Sequence, residues 1–189
     1  TRILDGFDAE VVPRLAALRA RVIYNDANDY NVLVDGPDAH GQRVTGLIDF
    51  GDLVYSPLVA DVAIAAAYAL LGKPDPLSAA AQVVGGFHAV LPLGEDEIDL
   101  LDVLLRTRLA VSAINAAEQR RAVPGNAYLT VSEAPVWEAL ERLEHVHPRF
   151  ARAAYRHGMD REGRCCAPMR GLVEPSDPGK TQSGHRPLP

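Results

Sequence analysis

A predominantly helical α+β domain with one small β-hairpin near its start is the fold class that the sequence predicts, and three observations predict it. Apolar residues recur at helical spacing through most of residues 60–156. Two short β-branched segments, 31–35 and 44–49, flank the turn-rich stretch Gly36-Pro37-Asp38-Ala39-His40-Gly41-Gln42-Arg43. The composition, 48% hydrophobic and 23% charged over 189 residues, is that of one ordinary globular domain.

The elements follow in order. Val11, Val12, Leu15, Leu18 and Val22 predict a helix over 8–22, with Pro13 tolerated in its first turn. The hairpin comes next, and then a very apolar helix over 60–71 that must be buried on nearly all sides, closed by Gly72-Lys73-Pro74. A helix over 77–90 stops at Pro92. The following helix carries acids at its start (Glu95, Asp96, Glu97) and Arg120-Arg121 at its end, complementing the helix dipole, before Pro124-Gly125. Its apolar stripe reads Ile98, Leu101, Leu104 or Leu105, Leu109 and Ile114. Thr130 or Ser132 is placed to cap a helix bearing Val136, Trp137, Leu140 and Leu143, which Pro148 interrupts. A short helix over 150–156 is the last. From Gly158 the chain is rich in Gly, Pro and charge without apolar periodicity, which predicts a domain over 1–157 and a disordered tail over 158–189.

Charge and cysteine content narrow the function classes. A net charge of −6 argues against a nucleic-acid surface and favours a neutral or cationic ligand. The longest apolar run, 58–71, contains Asp61 and is too short to span a bilayer, so no membrane partner is expected. Cys165 and Cys166 are adjacent, which suits neither a structural disulfide nor a zinc framework and favours a reducing, cytoplasmic setting. The first residue is Thr1 with no signal-peptide pattern, so the start is expected to have been cut away.

Two motifs carry chemistry. In "VIYNDANDYNVLVD", Asp26 and Asn31 have the spacing of a kinase catalytic loop, where the Asp accepts a hydroxyl proton and the Asn holds magnesium. In "TGLIDFGD", a strand ends in Asp49-Phe50-Gly51, and such an Asp binds the magnesium that bridges nucleotide phosphates. Each alone reads equally as a turn, since Asn and Asp cap and bend loops. Their combination is more specific. A hairpin brings Asn31, at the start of its first strand, beside Asp49, at the end of its second, and magnesium takes such hard oxygen ligands. An EF-hand reading fails at Tyr30 and Asn31, where that pattern requires an acid or amide and a glycine. His88, His145 and His147 suit packing or a helix end better than a metal, and Tyr30 and Tyr55 are expected to pack against the motifs. The acids 95–97 and Asp99 read as a solvated helix start or as a face for a cationic substrate.

The blocks "NDANDYNVLVD", "GLIDFGDLVYSPLVADVAIAAAYALL" and "NAYLTVSEAPVWEAL" resemble the C-terminal lobe of the aminoglycoside phosphotransferase and choline kinase group, most closely hydroxylysine-kinase-like domains, over residues 8–156. Some of these domains are fused to a class III aminotransferase. The resemblance implies a protein-kinase-like C-terminal lobe that uses ATP and Mg to phosphorylate a small, hydroxylated and cationic amino alcohol. It makes Asp26 the catalytic base, Asn31 and Asp49 the metal ligands, and Asp61 a brace of the catalytic loop, although Asp61 also reads as a dipole-complementing helix start. Tyr24 stands where the family usually has a His that orients the loop. Only 25 residues precede Asp26, no G-x-G-x-x-G occurs, and the first lysine is Lys73. A Gly-rich, phosphate-binding N-terminal lobe is therefore expected to be absent from this stretch. The expectations that follow are half of an enzyme that works with a missing lobe or inside a fused polypeptide, or an inactive remnant.

Overall fold

The structure, a computed structural model, describes residues 2–35, 43–122 and 133–165. The order is α1 (Arg2–Gly6), a π-helical turn (Phe7–Val11), a 3-10 segment (Val12–Ala17), β1 (Ala20–Ile23), β2 (Val32–Val34), β3 (Val44–Leu47), β4 (Val54–Pro57), α2 (Leu58–Ala69), α3 (Pro76–Val90), α4 (Glu95–Ala122), α5 (Glu133–Glu144) and α6 (Pro148–Cys165). The fold class is as the sequence predicts, a mostly helical α+β domain, but it carries two small antiparallel sheets rather than the one expected hairpin. Most of the hairpin loop and the candidate caps Thr130 and Ser132 lie outside the described residues.

The first predicted helix is corrected. Helical structure ends at Ala17, and Ala20–Ile23 is instead a strand paired with β4, Val22 facing Tyr55 and Ile23 facing Val54. The pair forms because Arg19 anchors it on both sides. Its carbonyl accepts the Leu58 N–H at 2.8 Å where α2 begins, and its guanidinium grips Glu97 of α4 through Nε (3.0 Å) and Nη2 (2.5 Å). Glu97 also accepts the Gly94 N–H at 2.7 Å, which caps α4. That carboxylate is buried, so the predicted solvated acidic face holds at Glu95 and Asp96 but not at Glu97.

The second sheet is the predicted hairpin. Val32 faces Leu47 and Leu33 faces Gly46, with an irregularity between Leu33 and Val34. Beneath the sheets α2, α3, α4 and α6 share one core, in which Val62, Ala66, Leu70, Leu101, Leu105 and Tyr155 are almost fully buried. α2 is indeed buried on most sides. Asp75 caps α3 by accepting the Ser78 N–H at 3.0 Å. In α4 the stripe continues through Ala113 and Ala116 rather than Ile114, which is 47% exposed. Trp137 is likewise exposed on α5, because Val136, Ala139 and Leu143 form the buried stripe.

The last helix is longer than predicted. α6 runs to Cys165 and Met159 is buried, so order does not end at Gly158, and residues 166–189 lie outside the described part. Gly158 itself explains the extension: a Cβ there would stand 2.2 Å from the Ala81 carbonyl oxygen. The missing side chain lets α6 lie directly on α3. A buried network fixes the other end, with Tyr155 donating to Asp102 (3.2 Å) and Arg106 bonding Asp102 Oδ2 (2.8 Å) and the Leu143 and Val146 carbonyls. No helix among the described residues is long and apolar enough to cross a membrane.

Candidate functional site

The site forms where the loop after β1 meets both ends of the hairpin. Asn25 and Asp49 have positive φ, 67° and 59°, an uncommon state that non-glycine residues hold only where the surroundings impose it. For Asn25 the imposing group is Asp61, whose Oδ1 accepts the Asn25 N–H at 2.8 Å. The bracing role implied for Asp61 is thus present as a contact. Asn28 shapes the rest of the loop, its side-chain oxygen accepting the Tyr30 and Asn31 N–H groups at 2.8 and 3.2 Å.

Asp26 is held from three directions. Its Oδ2 accepts from the side-chain amides of Asn28 (2.9 Å) and Asn31 (2.9 Å), and its Oδ1 from Arg108 Nη2 (3.2 Å). The Asn31 amide nitrogen also bonds the Asp26 carbonyl oxygen at 3.0 Å. Both partners are acceptors, so the NH₂ end of Asn31 must face Asp26 and its Oδ1 is left over for another ligand. Asn31 is buried, which leaves little freedom to turn.

Asp49 stands one residue beyond the last ladder bond, from the Ile48 N–H to the Asn31 carbonyl at 3.0 Å. Its side chain is exposed and accepts only the Gly51 N–H, at 3.3 Å, among the described residues. Asp26 and Asn31 are therefore in direct contact, whereas Asp49 joins them through the ladder and not through a side-chain bond. The donors suit a hard cation: an amide oxygen with no bond among the described residues and an exposed carboxylate at neighbouring ladder positions are the oxygen types that magnesium takes. No group of three His, Cys, Asp or Glu is placed to hold a metal among the described residues.

Tyr24 links the motifs. Its hydroxyl donates to the Ile48 carbonyl, and its ring meets Phe50 edge-on, centroids 5.4 Å apart. Desolvation, then the charges of Asp26, Asp49 and Asp52, hold the Tyr24 hydroxyl above the ordinary phenol range, which keeps it a donor. Tyr30 and Tyr55, expected to pack on the motifs, are 57% and 73% exposed. His88 accepts the Leu93 N–H and His147 the Arg149 N–H, so both act as local backbone acceptors.

Sequence reasoning missed Arg108 and Tyr68. Arg108 reaches Asp26 from 82 residues away, and its Nη2 also bonds the Tyr68 hydroxyl at 2.8 Å. An arginine within an amphipathic helix carries no local signal of such a contact. A cavity of about 950 Å³ lies elsewhere, lined by Ile98, Asp102, Arg106, Trp137 and Arg152 among others. Two of its arginines are already paired, Arg106 with Asp102 and Arg152 with Asp99.

A profile of the phosphotransferase enzyme family matches residues 2–101, a stretch that contains every element of this site except Arg108. The chain belongs to that family. Among known proteins it is similar to hydroxylysine kinase of Xenopus laevis, 29% identical over 150 residues, which cover 76% of this chain and 40% of the relative. It is also similar to hydroxylysine kinase of Mus musculus, 31% identical over 147 residues, covering 75% and 39%. The chain thus spans about two fifths of the length of the curated relatives it matches. No solved structure matches it significantly.

Proposed function

We propose that this chain is the catalytic half of a small-molecule kinase that transfers phosphate from ATP to a hydroxyl group of an amino alcohol such as hydroxylysine. One observation carries the reading: the buried Asn31 amide fixes the Asp26 carboxylate while its own oxygen takes no bond among the described residues, one residue along the ladder from a D-F-G carboxylate. A loop built only to turn the chain has no use for that arrangement.

In this mechanism Asp26 takes the proton of the acceptor hydroxyl at Oδ1, since Oδ2 already accepts two amide N–H bonds. The acceptor oxygen bonds to the terminal phosphorus as the bond to the ADP oxygen breaks. Asn31 Oδ1 and the Asp49 carboxylate would hold magnesium, which when bound neutralises charge on the nucleotide phosphates. Asp61 and Tyr24 keep the loop and the D-F-G strand in register.

The phosphates themselves need further donors, and we propose that a separate phosphate-binding lobe supplies them. In support, both sheets and the turn between β3 and β4 leave apolar side chains in solvent: Val22, Val44, Phe50 and Tyr55 are each more than half exposed. Exposed apolar groups at this density mark a surface that another unit covers. The test is ATP turnover across a panel of amino alcohols, by the 189-residue chain and by a version carrying an upstream lobe. Turnover is expected only in the longer protein and only with a hydroxylated acceptor. Absent turnover in both would leave the reading of an inactive remnant, and acceptor-independent turnover would contradict transfer to an alcohol.

A further inference from the structure

We propose that Arg108 is the residue that receives the carboxylate of the acceptor, making the site selective for a hydroxylated amino acid over a hydroxylated amine. The inference rests on the kinase reading above and names the feature of the substrate that this site recognises.

The argument begins with the unspent donors of Arg108. A guanidinium carries five N–H groups in a planar fork. Nη2 uses two of them, on Asp26 and on Tyr68. Nε is buried and has no partner, and Nη1 has none among the described residues. The Tyr68 ring lies 5.3 Å from the guanidinium carbon, so the group is pinned by its face and by one nitrogen. A buried N–H without an acceptor is unfavourable, and a native site that retains one has a use for it.

Position decides which ligand Arg108 can meet. Arg108 touches the oxygen of Asp26 that is to take the hydroxyl proton, and its side chain is 25% exposed, so it borders the space the acceptor must enter. A carboxylate oxygen has two lone-pair sites, so Oδ1 can keep the Arg108 bond and still meet a hydroxyl. Nε shares one edge of the guanidinium with Nη2 and Nη1 shares the other, so with Nη2 spent an anion meets Arg108 through a single nitrogen, and the anions such a contact suits are a carboxylate or a phosphate. The transferred phosphoryl group belongs on the metal side, at Asn31 and Asp49. In an amino-acid acceptor the carboxylate lies only a few carbon atoms from the hydroxyl, within reach of an arginine that contacts the base.

The test is calorimetric binding to the 189-residue chain, using hydroxylysine and the diamine that remains when its carboxylate is removed. The wild-type chain is expected to bind hydroxylysine about tenfold or more tightly than the diamine, the weight of one charge-assisted contact. Arg108→Met should abolish the preference, bringing hydroxylysine to or below the affinity of the diamine, whose own binding should hold or rise because a cation beside Asp26 is removed. Arg108→Lys, which keeps the charge without the fork, should retain part of the preference and serves if the Met variant does not fold. Equal binding of the two probes by the wild-type chain, or no binding of either, overturns the proposal. So does a parallel loss of both in Arg108→Met. Because the readout is binding, a longer protein that prefers hydroxylysine yet transfers no phosphate would sink the kinase reading and leave this one standing.

Discussion

Asp61→Ala isolates the contact that sets up the catalytic loop. In the native protein Asp61 accepts the Asn25 N–H at 2.8 Å and thereby holds Asn25 at φ 67°, one residue before the base. A hydrogen bond to a charged group contributes about 1.5–3 kcal/mol, and its loss leaves a partly buried N–H to be rehydrated. Removing a carboxylate from the first turn of α2 costs a further 0.3–1 kcal/mol or so through the helix dipole. Alanine recovers roughly 0.5 kcal/mol of helix propensity in return. The net expectation is a destabilisation of about 1.5–3 kcal/mol. Asp61→Asn keeps an oxygen acceptor but not its charge, and should lose about 1 kcal/mol. Urea unfolding reads both, as a lower midpoint at unchanged slope. Amide hydrogen exchange at Asn25 should accelerate in the Ala variant. If Asp61→Ala unfolds at the wild-type midpoint with Asn25 protection intact, the brace is not what holds the loop.

Three further outcomes are expected. Gly158→Ala should destabilise by about 1 kcal/mol or more in thermal or urea unfolding, although alanine is normally the better helix former, because the new Cβ meets the Ala81 carbonyl oxygen at 2.2 Å. Tyr155, buried and bonded to Asp102, has its hydroxyl held well above the ordinary value of 10.0, chiefly by desolvation. The unfolded chain therefore loses this proton first, and the stability Tyr155 contributes, complete below pH 10.0, should fall as pH rises beyond it, with a shallower decline in Tyr155→Phe. Asp49→Ala should weaken Mn²⁺ binding, measured by EPR as a magnesium surrogate, by about tenfold or more, since it removes the only anionic ligand assigned to the metal.

Much of this was legible in the sequence because it is local. Helices α2 to α4 announce themselves through periodicity and caps, and the β2–β3 hairpin through two β-branched runs around a turn. Asp26, Asn31 and Asp49 stand in short motifs whose spacing is their signal. What was illegible is long-range. β1 continues the apolar spacing of Leu15 and Leu18, and only its pairing with β4, some thirty residues on, makes it a strand. Glu97 looks like one more acid at a helix start until Arg19 buries it. Arg108 needs the whole helical layer to bring it to Asp26. Gly158 reads as a breaker, yet it is the residue that lets α6 touch α3.

The claim that Asp26 is the base of a phosphotransferase is met most directly by one comparison. The measurement is transfer of the terminal phosphate of ATP to hydroxylysine by the protein carrying its phosphate-binding lobe, wild type against Asp26→Asn. The asparagine keeps the size of the side chain and its place beside Asn28 and Asn31 but cannot take the hydroxyl proton. The account predicts a turnover lower by roughly 10²- to 10⁴-fold, the usual weight of general-base catalysis, with hydroxylysine binding changed far less. A turnover equal to the wild type would contradict it.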